Sequence, residues 1–205
     1  SKDDEKAQMT IERTGSIVLQ SRFFGEIIRK LPEDMFTMEV LDNNQVAITS
    51  GKADFTVNGL DADNYPHLPV IDTQNQMKLP VHLLTKIISE TGFAVSMHES
   101  RPILTGVHFI LENQKLLAVA TDSHRLSQRV IPTEQAVEDF NIVIPGKSLT
   151  ELSRSLTNEE EMVEISIMEN QALFKTETMY FYSRLLEGNY PDTNRLIPTS
   201  HNTQI

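Results

Sequence analysis

The segment ATDSHRL at residues 120–126 contains the residue types of a hydrolytic site: a carboxylate at Asp122, an imidazole at His124 and neighbouring hydroxyls at Ser123 and Ser127. A carboxylate that orients a histidine, which then activates a serine, is the arrangement of serine hydrolases. The G-x-S-x-G pattern that places such a serine on a sharp turn does not occur. On a strand, Asp122 and His124 would share a face, so we interpret them as a hydrogen-bonded structural pair.

The remaining titratable residues form no motif for a metal or a nucleotide. The six histidines, at positions 67, 82, 98, 108, 124 and 201, lack H-x-x-x-H and H-E-x-x-H spacing, so we expect no metal site. Asp61-Ala62-Asp63 begins like a calcium loop but lacks the later glycine and glutamate, and is interpreted as a turn. Since there is no G-x-G-x-x-G and no P-loop, we expect no cofactor.

Composition restricts the class of protein further. The absence of cysteine excludes disulfides and thiolate chemistry, and a cytoplasmic location is the default. The first twenty residues are densely charged and no window approaches 18 apolar residues, so we expect neither a signal peptide nor a membrane span. A net charge of -11 argues against a nucleic-acid binder that depends on a broad basic surface. Any contact with DNA is expected to be local or weak.

The elements that must position these residues recur along the chain. Residues 17–31 align with residues 142–156 at an offset of 125, and the same offset brings Asn64-Tyr65-Pro66 onto Asn189-Tyr190-Pro191. Each copy predicts a short strand, a polar break, an amphipathic helix and a meander of about three strands. Residues 76–132 repeat this order more faintly, with a helix predicted over residues 81–96.

This repeat predicts an α+β fold and three parts of the chain. Residues 72–197 form a complete domain of two units, residues 1–71 are the second half of an earlier domain, and residues 198–205 begin a third.

The helices of the two clear copies carry the same charges opposite their apolar faces. The shared order is basic, acidic, basic at i, i+4 and i+7: Arg22, Glu26 and Arg29 in the first copy, and Lys147, Glu151 and Arg154 in the second. Ion pairing on a solvated face is the simpler explanation. The predicted helix between them presents Lys86, and Arg101 follows in a polar loop. Basic residues that face one way would hold a duplex through its phosphates without reading its sequence.

Five runs, taken together, closely resemble a known family. These are GLDADNYPHLP, RPILTGVHF, ATDSHRLSQR, IVIPGKSLTEL and SRLLEGNYPDTNRLIP. In this order and spacing they resemble the beta subunit of bacterial DNA polymerase III, the sliding clamp. The resemblance implies the DNA-clamp fold, in a ring of two identical three-domain subunits with helices lining a central hole and antiparallel sheets outside. It also implies a non-catalytic role, in which the ring encircles duplex DNA and confers processivity on the polymerase.

The same resemblance implies three sets of site residues. Partners such as the replicative polymerase subunit, the clamp loader and repair polymerases insert a short hydrophobic linear motif into a pocket, here made by Leu104, Thr121, Ser123, His124, Arg125, Leu126, Pro191, Arg195 and Leu196. The residues expected to face DNA are Arg22, Arg29, Lys86, Arg101, Lys147 and Arg154. Phe55 matches a subunit-interface position, although packing in the core explains it equally well. Many family members have glycine where Ser123 stands.

Two other classes of function remain as alternatives. One is a hydrolase that uses Asp122 and His124 with a nearby serine. The other is a scaffold or adhesive module, built from the same repeats, that does not bind nucleic acid. Retention on circular but not on linear DNA would distinguish a clamp from both.

Overall fold

The structure is a computed structural model, and it describes residues 9–11, 17–18, 34–41, 45–50, 53–60, 76–133, 138–168 and 170–192. The first-copy helix predicted within residues 17–31, the domain boundaries predicted at 71/72 and 197/198, and the tail 198–205 lie outside these residues.

The described elements are strands with two α-helices and two short 3₁₀ turns. The strands are β1 (Met9–Ile11), β2 (Ile17–Val18), β3 (Met35–Val40), β4 (Gln45–Ser50), β5 (Ala53–Leu60), β6 (Gln76–Pro80), β7 (Gly106–Glu112), β8 (Lys115–Thr121), β9 (Leu126–Pro132), β10 (Phe140–Pro145), β11 (Met162–Met168), β12 (Gln171–Lys175) and β13 (Met179–Arg184). The helices are α1 (Val81–Thr91) and α2 (Gly146–Ser155), and the 3₁₀ turns are Gly92–Ala94 and Pro102–Thr105.

The faint repeat is real, because two units have the same order of elements. The first unit is β6, α1, β7, β8 and β9, and the second is β10, α2, β11, β12 and β13. In both units a strand ends at a proline, Pro80 or Pro145, and the helix begins at the next residue. Proline holds the extended backbone of its own position and has no N–H to place in a helix.

The two units exchange their first strands. β6 pairs with β11 of the second unit, while β10 pairs with β7 of the first. The first unit's meander therefore completes a four-stranded sheet in the order β10-β7-β8-β9. Neither unit forms its sheet from its own strands alone. Each of the two meanders gains its fourth strand from the other unit.

The second sheet continues into the amino-terminal part of the chain. Its nine strands lie in the order β2-β1-β5-β4-β3-β13-β12-β11-β6. β3 and β13 pair antiparallel and bring Phe36 opposite Tyr182, with ring centroids 4.9 Å apart. Both rings are almost completely buried. Backbone pairing and aromatic stacking thus join the two parts of the chain into one sheet.

A hydrophobic core fills the space between the sheets and the two described helices. Alternation along the strands turns every second side chain inward, and the 3.6-residue period of the helices presents one apolar face. The large, fully buried contributors include Met77 of β6, Leu84 and Ile87 of α1, Leu149 and Leu152 of α2, and Phe174 and Phe181 of the nine-stranded sheet.

Helix α1 is shorter than the sequence predicts. The α-helix ends at Thr91, the chain continues as a 3₁₀ turn through Ala94, and Val95 is extended. The prediction of a helix to residue 96 was therefore wrong at its carboxyl end. Gly92 has a low helix propensity, and the apolar pattern beyond it reflects the packing of Ala94 in the turn and of the extended Val95 against the core.

Candidate functional site

The described residues of the predicted pocket lie at one end of the four-stranded sheet. Thr121, the last residue of β8, is paired with Leu126, the first residue of β9. Leu104 lies in the 3₁₀ turn that leads directly into β7, the neighbour of β8 on the other side. Residues far apart in the sequence therefore meet at the site because strand ends align across the sheet.

Residues 122–125 connect β8 to β9 through a side-chain-stabilised turn. The Oδ1 atom of Asp122 accepts hydrogen bonds from the backbone N–H groups of His124, at 2.9 Å, and Arg125, at 3.0 Å. The hydroxyl of Thr121 donates to the Arg125 carbonyl at 2.6 Å and accepts from the Ser123 N–H at 3.2 Å. These bonds satisfy the backbone groups that a chain reversal would otherwise leave unpaired.

This turn corrects the strand interpretation of Asp122 and His124. The strand ends at Thr121, and Asp122 bonds the backbone N–H of His124 rather than facing its imidazole along a strand. That N–H lowers the pKa of the Asp122 carboxyl below its ordinary value, and the backbone and guanidinium of Arg125 lower it further. Asp122 is therefore an ionised structural acceptor.

The hydroxyls needed for a hydrolase are used elsewhere. Ser127 donates to the carbonyl of Glu90 at 2.5 Å. The hydroxyl of Ser123 accepts a hydrogen bond from Nη1 of Arg101 at 3.3 Å. Within the part of the chain that the structure describes, no serine, histidine and carboxylate are arranged in the relay that acyl transfer requires.

Ser123 adopts the left-handed conformation, with φ of 78°. A side chain costs free energy in this conformation and glycine does not, so the backbone here suits the glycine that the family resemblance leads us to expect in many members. Serine at position 123 therefore raises the free energy of the turn relative to glycine, while the backbone keeps the path that glycine would favour.

Arg125 links the turn to the end of helix α1. Its Nη2 donates to the carbonyl of Phe93 at 2.7 Å, and its Nε lies 3.1 Å from Oδ2 of Asp122. The guanidinium carbon is 5.6 Å from the centre of the Phe93 ring. The prediction assigned Arg125 to bonding a partner peptide, but here Nε and Nη2 bond groups of the chain itself.

The segment 188–192 covers the same end of the sheet from the other direction. Gly188 has φ of +128°, a conformation that favours glycine, and it lies over Ile103 of the second 3₁₀ turn. The hydroxyl of Tyr190 then accepts a hydrogen bond from the backbone N–H of Thr121 at 3.1 Å. The next residue, Pro191, is half-buried and is thereby held near the end of β8.

Tyr190 is itself supported by a residue that sequence reasoning missed. The ring of His108, on β7, lies 4.5 Å from the Tyr190 ring, and its Nε2 is 2.6 Å from Oδ1 of Asn141 on β10. Burial raises the pKa of Tyr190 to about 12, and burial also lowers the pKa of His108, partly offset by the bond to Asn141. The recurring Asn-Tyr-Pro sequence contained the signal for Tyr190, whereas no pattern indicated His108.

The predicted pocket residues differ in exposure. Leu104 and Thr121 are almost completely buried. Ser123, His124 and Arg125 are exposed, and Leu126 and Pro191 are half-buried. The surface at this end of the sheet is therefore a polar rim beside two apolar side chains. Arg195 and Leu196 lie outside the described residues.

The basic residues predicted to face DNA fall into different places. Lys86 lies on the exposed face of α1, and Lys147 lies on that of α2. Arg154 is also exposed on α2, where its Nη1 is 2.7 Å from Oε1 of Glu151. Arg154 therefore has the partner that the simpler ion-pair explanation requires, and its role towards DNA stays a prediction. Arg101 is not on a helix face but beside the 122–125 turn.

The two helices pack side by side, and a groove runs between them. It is lined by Ile88, Ser89, Gly92 and Phe93 from α1 and the turn after it, and by Gly146, Leu149, Thr150, Ser153 and Arg154 from α2. Arg22 and Arg29, the corresponding residues of the first copy, lie outside the described residues.

The remaining predictions about sites concern an interface and metals. Phe55 lies in β5 with Ile48 of β4 as its pairing partner, and its side chain lies outside the described part. Among the residues described, no group of three or more histidine, aspartate or glutamate side chains is arranged to hold a metal ion. Neither described helix has the length and apolar character needed to cross a membrane.

Comparison with known proteins connects this geometry to a family. The family model of the DNA polymerase III beta subunit, central domain, matches residues 78–192, and that of the DNA polymerase III beta subunit, N-terminal domain, matches residues 3–69. The chain is 51% identical to the beta sliding clamp of Bacillus subtilis and 48% identical to that of Streptococcus pneumoniae. These matches cover 99% and 100% of the chain, and 54% of each relative.

Solved structures agree with this relationship. The crystal structure of the DNA polymerase sliding clamp from Bacillus subtilis has a TM-score of 0.61 and 50% identity, over 90% of this chain and 48% of that one. The beta subunit from Streptococcus pyogenes has a TM-score of 0.60 and 46% identity, over 90% of this chain and 50% of that one. The chain therefore spans about half the length of the relatives that it matches. It belongs to the family of the bacterial DNA polymerase III beta subunit, the sliding clamp.

Proposed function

We propose that the protein acts as a non-catalytic sliding clamp, which encircles duplex DNA and tethers the replicative polymerase to its template. The observation that carries this proposal is the relationship to the Bacillus subtilis beta sliding clamp at 51% identity over 99% of the chain. The alternatives of a hydrolase or an adhesive scaffold receive no support from the relatives or from the geometry of the 122–125 turn.

Topological attachment accounts for the charge of the chain. A ring that surrounds DNA does not need high affinity, and a net charge of -11 would keep non-specific binding weak. A few exposed lysines, such as Lys86 and Lys147 on neighbouring helices, supply local phosphate contacts without base readout. The expected result is sliding with little friction and no preference for sequence.

Partners dock at the end of the four-stranded sheet. Leu126 and Pro191 offer apolar surface to a short hydrophobic motif, and the exposed turn at residues 123–125 forms a polar rim. Arg195 and Leu196 complete the pocket according to the family resemblance. The replicative polymerase subunit, the clamp loader and repair polymerases would compete for this surface.

The relatives are longer than this chain, which spans 54% of the Bacillus subtilis clamp. We infer a cytoplasmic homodimer of three-domain subunits, in which residues 72–197 form the second domain and Phe55 lies near a subunit interface. The antiparallel pairing of β3 with β13 supports this arrangement, because it joins consecutive domains edge to edge in one continuous sheet.

The decisive experiment separates encirclement from ordinary binding. The full-length protein is loaded by its clamp loader onto nicked circular DNA, and half of the sample is then cut at one site. The protein should remain on the circle during gel filtration and leave the linear DNA by sliding off its ends. Equal retention on both forms would show ordinary binding, and no retention on the circle would exclude a clamp.

A further inference from the structure

The two sides of the partner site are separate in sequence, and Tyr190 joins them. One side is the turn at residues 122–125, and the other is the segment 188–192. The hydrogen bond from the Thr121 N–H to the Tyr190 hydroxyl crosses 69 residues of sequence and connects the last residue of β8 to the second segment. The distance between Pro191 and the turn therefore depends on this contact.

We propose that Tyr190 is a positioning residue for partner peptides: its hydroxyl on the Thr121 backbone and its ring against His108 fix Pro191 and the 122–125 turn as two sides of one site. This inference rests on the proposed partner-binding function. It assigns Tyr190 no contact with the peptide, since its hydroxyl and one face of its ring are used within the protein.

Thr121 transmits the position of Tyr190 to the turn. Its backbone N–H is bonded to Tyr190, while its hydroxyl bonds both the Arg125 carbonyl and the Ser123 N–H. Because Thr121 is almost completely buried, solvent cannot replace these bonds without local opening. A shift of Thr121 would therefore move the exposed rim at residues 123–125.

His108 gives Tyr190 a fixed backing. The His108 ring comes from β7 and is bonded to Asn141 from β10. Tyr190 is therefore connected to β8 and β7 directly, and to β10 through His108. Burial raises the pKa of Tyr190 to about 12, so the hydroxyl stays protonated and neutral at physiological pH. Contacts of this kind hold one conformation before the peptide arrives, which lowers the ordering cost of binding.

The test measures peptide affinity and local order in the full-length protein. The probe is a fluorescein-labelled peptide that copies the clamp-binding segment of the same organism's replicative polymerase. Tyr190→Phe retains the ring and removes the hydroxyl. We expect its Kd to rise about tenfold, as befits one buried hydrogen bond. Amide exchange at Thr121 should become faster in the free variant and return towards the wild-type rate with saturating peptide.

Matched variants separate positioning from general stability. Tyr180→Phe removes a hydroxyl from a buried tyrosine of β13 and should leave the Kd unchanged. His108→Ala should raise the Kd through loss of the ring contact. Combined with Tyr190→Phe, it should raise the Kd by less than the product of the two single effects, because both changes loosen the same residue.

The outcomes distinguish the two proposals. If the wild-type protein does not bind the probe, the partner-binding function fails and this inference fails with it. If the wild-type protein binds and folded Tyr190→Phe binds equally well, the positioning role is overturned while the partner-binding function stands. Should Tyr190→Phe not fold, His108→Ala decides the question by the same comparison of Kd values at a temperature where it is folded.

Discussion

The guanidinium of Arg125 donates a 2.7 Å hydrogen bond to the carbonyl of Phe93 and lies over the ring of the same residue. Phe93 follows helix α1, which has no basic residue of its own in its last turn. Arg125 therefore supplies, from the turn after β8, a positive charge and a donor at the carboxyl end of that helix. Through this contact the proposed partner site and the helix layer share one side chain.

Removal of the Arg125 side chain should consequently affect stability as well as binding. We expect Arg125→Ala to lower the free energy of unfolding by about 1 kcal/mol, because it leaves the Phe93 carbonyl without its charged donor. Urea denaturation followed by circular dichroism measures this change. Arg154→Ala is the matched control, since the exposed pair of Arg154 with Glu151 should contribute less than about 0.5 kcal/mol. Equal effects of the two variants would contradict the capping role.

Leu126 should contribute binding energy without contributing much to the fold. It is half-buried at the start of β9, where under the proposed function it would offer apolar surface to a partner motif. We expect Leu126→Ala to weaken peptide binding more than tenfold in a calorimetric titration, as for a central apolar anchor. Val130→Ala removes a 53% exposed side chain from the same strand and should bind normally. Unchanged affinity of Leu126→Ala would remove it from the site.

The exposed helix charges should affect loading on DNA. We expect Lys147→Glu with Arg154→Glu to slow loading onto primed circular DNA several-fold, since phosphate attraction is replaced by repulsion. The thermal midpoint should change little, as both side chains are exposed. Lys115→Glu with Lys175→Glu changes the net charge by the same amount on strands β8 and β12 instead of on helix α2. If both double variants load at the wild-type rate, the helix face has no role in DNA contact.

Ser123 offers a substitution that should stabilise the protein. Ser123→Gly removes a side chain from a left-handed position and should raise the free energy of unfolding by about 0.5–1 kcal/mol, despite the loss of the long bond from Arg101. The same substitution within helix α2, Ser153→Gly, should lower it by about 0.5 kcal/mol, since glycine has the lower helix propensity. Opposite signs in parallel denaturation curves would confirm the prediction, and destabilisation by Ser123→Gly would contradict it.

His108 should make stability depend on pH in mild acid. Its pKa in the folded protein is lowered by burial, so the unfolded chain binds a proton more readily than the folded one. Stability is therefore full above the ordinary histidine pKa of about 6.5 and decreases as the pH falls below it. The groups that face the ring are the Asn141 amide and the Tyr190 ring. His108→Phe should flatten the curve of unfolding free energy between pH 7.5 and 5, and an equally steep curve would exclude His108 as its source.

Much of the secondary structure followed from the sequence alone, because the signals are local. Alternating apolar residues predicted strands at MVEISIM and QALFK, and both occur as β11 and β12. The amphipathic pattern in the second half of residues 142–156 likewise predicted α2. The repeat gave the order strand, helix, meander, and the five family runs indicated the sliding clamp family, which the comparisons confirmed.

Tertiary structure alone decided which elements pair and how the site is assembled. An apolar alternation specifies which face of a strand is buried but not its neighbour, so the exchange of β6 and β10 between the two units was not predictable. The turn at residues 122–125 depends on bonds from Asp122 and Thr121 that compete with extension of the strand. The bond between Tyr190 and Thr121 joins residues 69 apart, and only packing of the whole domain brings such groups within hydrogen-bonding distance.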